Sequence, residues 1–478
     1  MLPIILGITL GTILILITIR PQYLHTTTSY VQHLASSGRT RDHSSPSHST
    51  KTQQEVPLQP EQPSAHHQQQ EHTANTTSVT SADKVNNTER FHLVKSLSGP
   101  DGAYVDIDFR GRKGYNPSII PHPMLTDKWI AVAMQHQFWS EDIHSGFKAQ
   151  MVCLASWKDG RIVCDDPPTS FSTRPTMSGN CDVPDCDVGA HDPRVFFGPE
   201  NPYIVYGSLS NYDNTVCLGQ WIQDFRVLVE WGPFIGPWID FGISQELARP
   251  PPTSPIEKNY FVFWDSQNVM YTHYDLAHQR SFARNNLTST DVELYTKSAD
   301  SDAKCWKHWM ESAPLLAGAH IHQATNSLSV TLCSPKEDGE ENCKVSDENT
   351  FLMHIFQAKT IDPKVNHGEQ TYDPYVVLMK RSAPFGIHAV SRLPLRFTTH
   401  QEQRNSTSQR LRRDDGSDAQ REESRELLYV TSMNWKEKDK YYHGFIDDVI
   451  FIGFGRSDRE NSMVDVTPRE LIGELLMC

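Results

Sequence analysis

Short β-rich runs separated by turn residues extend from about residue 91 to the C-terminus, and this periodicity constrains the fold more than any other feature. The runs lie at residues 129–134, 151–155, 195–206, 260–264, 269–274, 328–333, 351–356, 375–379, 427–431 and 448–454. No long amphipathic helix interrupts them, except a candidate helix at residues 468–477. A chain of short strands without crossover helices predicts an all-β fold, which is a propeller, a large sandwich or a solenoid.

Composition divides the 478 residues into three parts. Residues 2–19 are uncharged and apolar, and at about 1.5 Å per residue they span roughly 27 Å, so we expect a transmembrane signal anchor within residues 1–20. A cleaved signal peptide is the alternative, but no small-residue cleavage pattern follows the segment. Residues 21–90 are rich in Ser, Thr, Gln and His and predict a disordered stem. Residues 91–478 form the folded domain, with a charged, disordered insertion at about 401–426.

Four glycosylation sequences follow the apolar segment, at Asn75, Asn86, Asn286 and Asn405. Four such sequences favour a lumenal location and predict that these asparagines carry N-linked glycans. We therefore expect a single-pass type II membrane protein in the Golgi or the ER lumen, attached to the membrane through residues 2–19.

The nine cysteines favour the same oxidising compartment, because several of them are placed for pairing across turns. The predicted hairpin disulfides are Cys153–Cys164 and Cys333–Cys343, each across a turn that contains Asp-Gly. Cys181 and Cys186 lie five residues apart in a loop, Cys217 and Cys305 remain as a long-range pair, and Cys478 is left over.

The net charge of −14 argues against a nucleic-acid partner, since phosphate binding needs a concentrated basic surface. The sequence contains no zinc-ligand spacing, no P-loop and no Gly-rich dinucleotide-binding motif. We therefore predict neither a metal nor a cofactor.

An Asp-Pro-Arg triplet, Asp192-Pro193-Arg194, stands at the mouth of a predicted strand. Pro193 fixes its own φ and should bias Asp192 toward an extended conformation. The triplet places a carboxylate and a guanidinium two residues apart, where both can face a cleft. A surface turn in which Asp192 pairs with Arg194 is the alternative.

Other polar segments recur at strand ends along the domain, and they suggest that each repeat contributes a polar group to a common centre. These segments are Tyr115-Asn116-Pro117-Ser118-Ile119-Ile120, Lys258-Asn259-Tyr260, His320-Ile321-His322-Gln323-Ala324-Thr325-Asn326, Tyr372-Asp373-Pro374-Tyr375 and His443-Gly444-Phe445-Ile446-Asp447-Asp448. Asp447 and Asp448 could instead close a turn before the last strands. Trp139 and Trp264 could stack on a sugar, but core packing is the favoured role for both.

In type and order, Asn116-Pro117-Ser118, Asp192-Pro193-Arg194, Lys258-Asn259 and two closing segments resemble motifs of the five-bladed β-propellers of mannoside phosphorylases and β-1,2-mannosyltransferases. The closing segments are Gly444-Phe445-Ile446-Asp447-Asp448 and Gly453-Phe454-Gly455-Arg456-Ser457-Asp458. The resemblance covers roughly residues 100–465 and implies a five-bladed propeller. The anchor-plus-stem layout resembles fungal Golgi glycosyltransferases. One departure is His191, which stands where that family has Glu before Asp-Pro-Arg.

The resemblance implies a Golgi-type glycosyltransferase that moves mannose from a nucleotide-sugar donor to a glycan acceptor. Asp192 would be catalytic and exchange the proton at the reacting oxygen, while Arg194 would orient a phosphate or hydroxyl. The other predicted substrate contacts are His191, Asn116, Lys258, His322 and Asp373. The alternatives are a glycoside hydrolase or phosphorylase on the same propeller, and a non-enzymatic carbohydrate-binding propeller.

Overall fold

The computed structural model describes residues 90–135, 147–171, 173, 188–211, 215–229, 241–277, 279–285, 294–295, 299–313, 318–362, 369–399 and 427–478. Several predictions fall on residues outside these ranges: the anchor, the stem, the insertion at 401–426, Trp139, Cys181, Cys186 and the sequons at Asn75, Asn86, Asn286 and Asn405.

The predicted localisation as a single-pass type II membrane protein is contradicted. Within the described residues, no helix is both long enough and apolar enough to cross a membrane. Residues 2–19, on which the prediction rested, lie outside those residues.

Strands dominate the described part of the chain, which also contains three α-helices. In chain order the strands are β1 (His92–Val94), β2 (Ile107–Asp108), β3 (Gly114–Pro121), β4 (Trp129–Gln135), β5 (Phe147–Lys158), β6 (Arg161–Cys164), β7 (Thr169–Phe171), β8 (Val188–Gly189), β9 (His191–Phe197), β10 (Pro202–Leu209), β11 (Leu218–Asp224), β12 (Gln245–Glu246), β13 (Phe261–Trp264), β14 (Met270–Asp275), β15 (Ser281–Arg284), β16 (Leu294–Tyr295), β17 (His320–Gln323), β18 (Leu328–Thr331), β19 (Thr350–Asp362), β20 (Glu369–Lys380), β21 (Ile387–Ser391), β22 (Leu395–Phe397), β23 (Leu428–Trp435), β24 (His443–Phe445), β25 (Ile450–Arg456), β26 (Glu460–Val466) and β27 (Leu475–Met477). The helices are α1 (Ala299–Ser312), α2 (Pro335–Asp338) and α3 (Pro468–Ile472).

The strands form sheets that consist mainly of antiparallel neighbours in sequence, and the all-β prediction is therefore confirmed. Their orders are β2-β6-β5-β4-β3 with β7 and β8 on β5, β12-β11-β10-β9, β13-β14-β15-β16, β24-β18-β19-β20-β21-β27 with β17 on β19, β23-β25-β26, and the small pair β1-β22. In most of these sheets the chain meanders from one strand to the next.

Buried polar side chains connect the strands that begin these sheets. The bonds run from Thr431 Oγ1 to the Pro117 carbonyl (2.8 Å), from the Val195 N–H to Ser118 Oγ (3.2 Å), from Asn434 Nδ2 to the Val195 carbonyl (3.0 Å), from Asn326 Nδ2 to the Met433 carbonyl (2.7 Å) and from Ser327 Oγ to the Val262 carbonyl (2.8 Å). These bonds join strands β3, β9, β13 and β23 and the segment before β18 at one place.

Two parts of the predicted strand pattern need correction. The run at residues 195–206 is not one strand but β9 and β10, because Gly198, Pro199 and Asn201 form a turn in which the Gly198 N–H donates to the Asn201 carbonyl at 2.8 Å. The predicted helix at residues 468–477 is helical only over α3, since Gly473 follows at a φ of 56° and the chain then enters β27.

Helix α1 was missed from the sequence because few of its residues are apolar. Its buried stripe consists of Cys305, Trp306 and Trp309, while its other residues are largely polar. Trp309 Nε1 donates to the Ser391 carbonyl at 3.0 Å, which attaches the helix to β21.

The hairpin disulfides Cys153–Cys164 and Cys333–Cys343 are confirmed, and the pairing of Cys305 is corrected. Cys305 pairs with Cys478 and not with Cys217, which is itself disulfide-bonded. The physical reason is that β27 pairs with β21, the strand on which α1 packs, so the end of the chain reaches the helix.

Candidate functional site

Asp192 and Arg194 lie at the start of β9, where a β-bulge changes the direction of the strand. Arg194 pairs with Val205 of β10 and His191 with Gly207, so two residues of β9 face one residue of β10. The carboxylate of Asp192 is exposed, whereas the Arg194 side chain is only 4% exposed.

Asn116 lies in an equivalent bulge at the start of β3 and positions the carboxylate. The register of β3 and β4 shifts between Tyr115 and Ser118, and Asn116 Nδ2 donates to Asp192 Oδ1 at 3.0 Å. Gly455 of β25 provides the space for this side chain, because a Cβ there would lie 2.1 Å from Asn116 Oδ1. Asn116 is therefore a positioning group for Asp192.

The predicted extended conformation of Asp192 is wrong. Its φ is 46°, and Asn116 and Asn259 have φ values of 51° and 64°. These three residues adopt the left-handed region, which asparagine and aspartate tolerate better than other non-glycine residues. Two of them precede a proline, which normally disfavours such a conformation, so the bulges and side-chain bonds must overcome the local preference.

The Arg194 guanidinium is buried and only partly paired. Its Nη2 donates to Asn259 Oδ1 at 2.7 Å, while Nε and Nη1 have no hydrogen-bond partner among the described residues. Within those residues, Arg194 also forms no ion pair with Asp192, which argues against the alternative of a local surface turn. A buried guanidinium with two unpartnered nitrogens is costly unless a ligand accepts from their N–H groups.

Asn259 is held by a buried chain of hydrogen bonds that extends away from the site. Gln323 Nε2 donates to the Asn259 carbonyl at 3.0 Å and to the Tyr274 carbonyl at 2.9 Å, and Gln323 Oε1 bonds to His273 Nδ1 at 2.5 Å. Arg280 Nε donates to His273 Nε2 at 2.9 Å. Since Nε2 accepts from arginine, the proton of His273 must lie on Nδ1, which fixes Gln323 with its oxygen toward the ring.

Burial keeps this imidazole neutral. Burial, with the Arg280 charge adding to its effect, lowers the pKa of His273 well below its usual value. Arg280 itself is paired with Asp302 of α1 through Nη1 at 2.9 Å. The chain from Asp302 to Asn259 therefore has one consistent arrangement of donors and acceptors.

Tyrosine and histidine side chains line the site beside Asn259. The Tyr429 hydroxyl donates to Asn259 Oδ1 at 3.3 Å, and burial raises the pKa of Tyr429 to about 12, so it remains a neutral donor. Tyr372 packs edge-on against Tyr429 at 5.2 Å, and His322 lies 6.4 Å from Tyr372 between ring centres. Burial and the charges of nearby lysines lower the pKa of His322 to about 4.

The predicted substrate contacts differ in how close they lie to Asp192 and in which way their side chains face. His191 and Asn116 are beside Asp192, and Lys258 is exposed and close enough for its charge to act on His322. Asp373 follows Tyr372 on β20, and because side chains alternate along a strand, it points away from the face that Tyr372 presents to Tyr429.

Tyr429 was not predicted, and neither were the individual roles of Asn259, Tyr372, Gln323 and Asp458, although these four lie in the polar and closing segments described above. The charge of Asp458, like that of Asp192, acts on Tyr429, so a second carboxylate lies in the neighbourhood. Asn259 follows Lys258 in its motif and Gln323 follows His322 in its polar segment, whereas the strand residue Tyr429 carries no local signal.

Asp447 and Asp448 do not belong to this site. Asp448 Oδ2 accepts from the Phe445 N–H at 2.7 Å and pairs with Lys440 at 2.6 Å, and Asp447 Oδ2 accepts from Ser334 at 2.7 Å. These bonds agree with the alternative in which the pair closes a turn. Across the described chain, no group of three or more His, Cys, Asp or Glu side chains is arranged to hold a metal ion.

No protein-family model and no curated protein sequence matches the chain. Among solved structures it is similar to a glycosyl hydrolase from Bacteroides ovatus, with a TM-score of 0.40 and 9% identity over 81% of this chain and 93% of that one. It is also similar to a β-1,2-mannobiose phosphorylase from Listeria innocua, with a TM-score of 0.39 and 8% identity over 77% and 92%. A GDP-Man-dependent mannosyltransferase from Leishmania mexicana has a TM-score of 0.39 and 11% identity over 78% and 93%. These neighbours are carbohydrate-active enzymes, but similarities this low establish neither a family nor an activity for this chain.

Proposed function

We propose that the protein is a glycosyltransferase that moves mannose from a nucleotide-sugar donor to a glycan acceptor, on a five-bladed β-propeller. One observation carries the proposal: a positioned, exposed carboxylate on Asp192 lies two residues from a buried Arg194 whose Nε and Nη1 have no partner among the described residues. The order of the Asn-Pro-Ser, Asp-Pro-Arg and Lys-Asn motifs supports it.

The sheet arrangement supports the propeller part of this proposal. Apart from the pair β1-β22, the strands form five sheets within the described residues. Side-chain bonds join the first strands β3, β9, β13 and β23, and the segment before β18, at one place, as expected for blades around a common axis.

In the proposed reaction, an acceptor hydroxyl attacks the anomeric carbon of the donor as the bond to the nucleoside diphosphate breaks. Asp192 takes the proton of that hydroxyl through Oδ2, because Oδ1 accepts from Asn116. Arg194 donates from Nε and Nη1 to the departing diphosphate, whose two oxygens match a planar guanidinium. The neutral Tyr429 hydroxyl and His322 ring would contact sugar hydroxyls.

A hydrolase or phosphorylase is the second candidate, and Asp458 is the observation that favours it. A hydrolase that inverts configuration needs a second carboxylate to activate water, and both Asp192 and Asp458 act on Tyr429. A phosphorylase would use Arg194 to bind inorganic phosphate in place of the diphosphate.

The test incubates the full chain with GDP-mannose and a mannan oligosaccharide, and in parallel with mannobiose with or without inorganic phosphate. Elongation of the oligosaccharide supports a transferase. Phosphate-dependent release of mannose 1-phosphate supports a phosphorylase, and release of free mannose supports a hydrolase. In whichever reaction occurs, Asp192→Asn should lower kcat/KM by about 10²–10⁴-fold while the Tm stays near that of the wild type.

Asp127→Asn is the matched control, because Asp127 is also a left-handed aspartate, with a φ of 56°, but lies exposed between β3 and β4. It should keep full activity. A wild-type specific activity in Asp192→Asn would end the catalytic assignment, and a lowered Tm with unchanged turnover would show that Asp192 only shapes the bulge.

A further inference from the structure

A second concave site of about 280 Å³ lies at the other end of the same strands. Asp192 is the second residue of β9, while Pro199, which lines this site, lies two residues after the last one. At ~3.3 Å per residue, the intervening strand separates the two by roughly 20 Å. Asn259 likewise precedes β13, whereas Trp264 ends it and lines the second site.

Aromatic rings form one wall of this site. Tyr441 packs on Phe197 with ring centres 4.9 Å apart and remains 40% exposed, so part of its surface is available to a ligand. Trp264 contacts the Tyr442 ring edge-on at 4.9 Å, and Tyr442 is fixed by a 2.9 Å bond between its hydroxyl and Ser327. The rings are therefore held in place before any ligand binds.

Polar groups with unused hydrogen-bonding capacity face the aromatic wall. Arg381 Nε pairs with Asp347 at 2.7 Å, and its two Nη groups have no partner in the described residues. The Asp439 carboxylate is exposed, and no residue of the described chain bonds to it. His443 Nε2 bonds to Thr331 at 2.8 Å, and burial lowers the pKa of His443 to about 4, so the ring is neutral.

The site carries net negative charge, because Asp265, Asp347 and Asp439 outnumber Arg381. Net negative charge disfavours a phosphate or other anion, while an exposed ring beside donors and acceptors fits an uncharged molecule with one apolar face and several hydroxyls. The volume, near the lower end of the roughly 300–1,000 Å³ of ligand pockets, fits a small unit such as one sugar ring.

We propose that this pocket, lined by Trp264, Arg381, Asp439, Tyr441, Tyr442 and His443, is a second carbohydrate-binding site that holds a neutral sugar unit by stacking on Tyr441 and by hydrogen bonds to Arg381 and Asp439. The site does not depend on the reaction at Asp192. It would hold a second portion of a long glycan, or a separate chain, away from the reacting end.

The test measures binding of neutral oligosaccharides, namely manno-, gluco- and xylo-trioses, to the full chain by isothermal titration calorimetry. Asp192→Asn serves as the background, because it should slow any turnover strongly and leaves the residues of the second site unchanged. Tyr441→Ala should weaken binding about tenfold or more, Tyr441→Phe should retain it because the ring remains, and Arg381→Gln should also weaken it.

Met124→Ala, another change at an exposed apolar side chain, is the control and should bind as the background does. A triose that binds and loses affinity in Tyr441→Ala but not in Tyr441→Phe supports the proposal. Binding of none of the trioses at millimolar concentration would overturn it, as would equal affinity in Tyr441→Ala and the background. Failure here leaves the transfer assays untouched, so the two proposals can fail separately.

Discussion

Replacing Gln323 by Glu tests the hydrogen-bond chain behind the candidate site with almost no change of shape. The wild-type amide donates to the Asn259 and Tyr274 carbonyls at 3.0 and 2.9 Å. A carboxylate at this position would face both carbonyls with a charged oxygen. It could not recruit a proton through His273, since Arg280 Nε already occupies the second ring nitrogen. The variant should therefore be stable only while the introduced carboxyl is protonated.

The size of the effect follows from the burial of the position. Gln323 is 6% exposed, and burial beside two carbonyl oxygens can raise the pKa of an introduced carboxyl by about 3 units, from about 4.3 in the unfolded chain to about 7. Because the pKa is higher in the folded state, stability is retained below about pH 4 and lost as the pH rises toward 7. At about 1.36 kcal/mol per unit, the loss is about 4 kcal/mol and is complete above about pH 7.

The assay is urea unfolding of wild type and Gln323→Glu at several values between pH 5 and pH 8. The difference in unfolding free energy should grow with pH, and activity should fall with it because Asn259 loses its anchor. Gln267→Glu is the matched control: the same chemical change at an exposed turn should give a pH-independent difference.

A pH-independent difference for Gln323→Glu would refute the reasoning. It would show that the introduced carboxyl is hydrated or is not held against the two carbonyl oxygens.

Two further predictions concern stability away from the site. Asp302→Asn leaves Arg280 buried without its counter-charge and should lower the unfolding free energy in urea by about 3–5 kcal/mol. Asp347→Asn, which breaks a surface pair, should lower it by less than about 1 kcal/mol, and equal losses in the two variants would contradict the buried assignment. Non-reducing peptide mapping should join Cys305 to Cys478, and Cys305→Ser should lower stability by about 2–4 kcal/mol; a free thiol at either position would contradict the pairing.

The strand content could be predicted because it depends on local alternation, which the sequence displays directly. The element that was missed depends on tertiary contacts. Helix α1 has only a narrow apolar stripe, and Trp306 and Trp309 become a helix face because β21 and its neighbours offer a surface for them. The pairing of Cys478 was likewise invisible, since it depends on β27 joining β21.

At the site, residue types could be predicted but their conformation and their partners could not. Asp192, Arg194 and Asn116 stand out because charged and amide residues flank prolines at strand ends. The local rule for a residue before proline gave the wrong φ for Asp192, because it takes no account of the bulge against β10 or the bond from Asn116. Tyr429 lies on a strand whose pattern indicates only burial, and the role of Gln323 depends on hydrogen-bond partners in other segments of the chain.

Three residues of the candidate site, Asn116, Asp192 and Asn259, have a left-handed backbone conformation and also carry the side chains on which the proposed chemistry depends. Each such conformation costs on the order of 1–3 kcal/mol for a residue that does not tolerate it. Alanine at position 192 would remove the carboxylate and strain the backbone together, so a loss of activity could not be assigned to either cause. Asparagine tolerates the same φ and has the same shape, and it removes only the acidic group. For this reason the comparison of Asp192→Asn with Asp127→Asn separates the catalytic role from the structural one, whereas an alanine scan of the three positions would not.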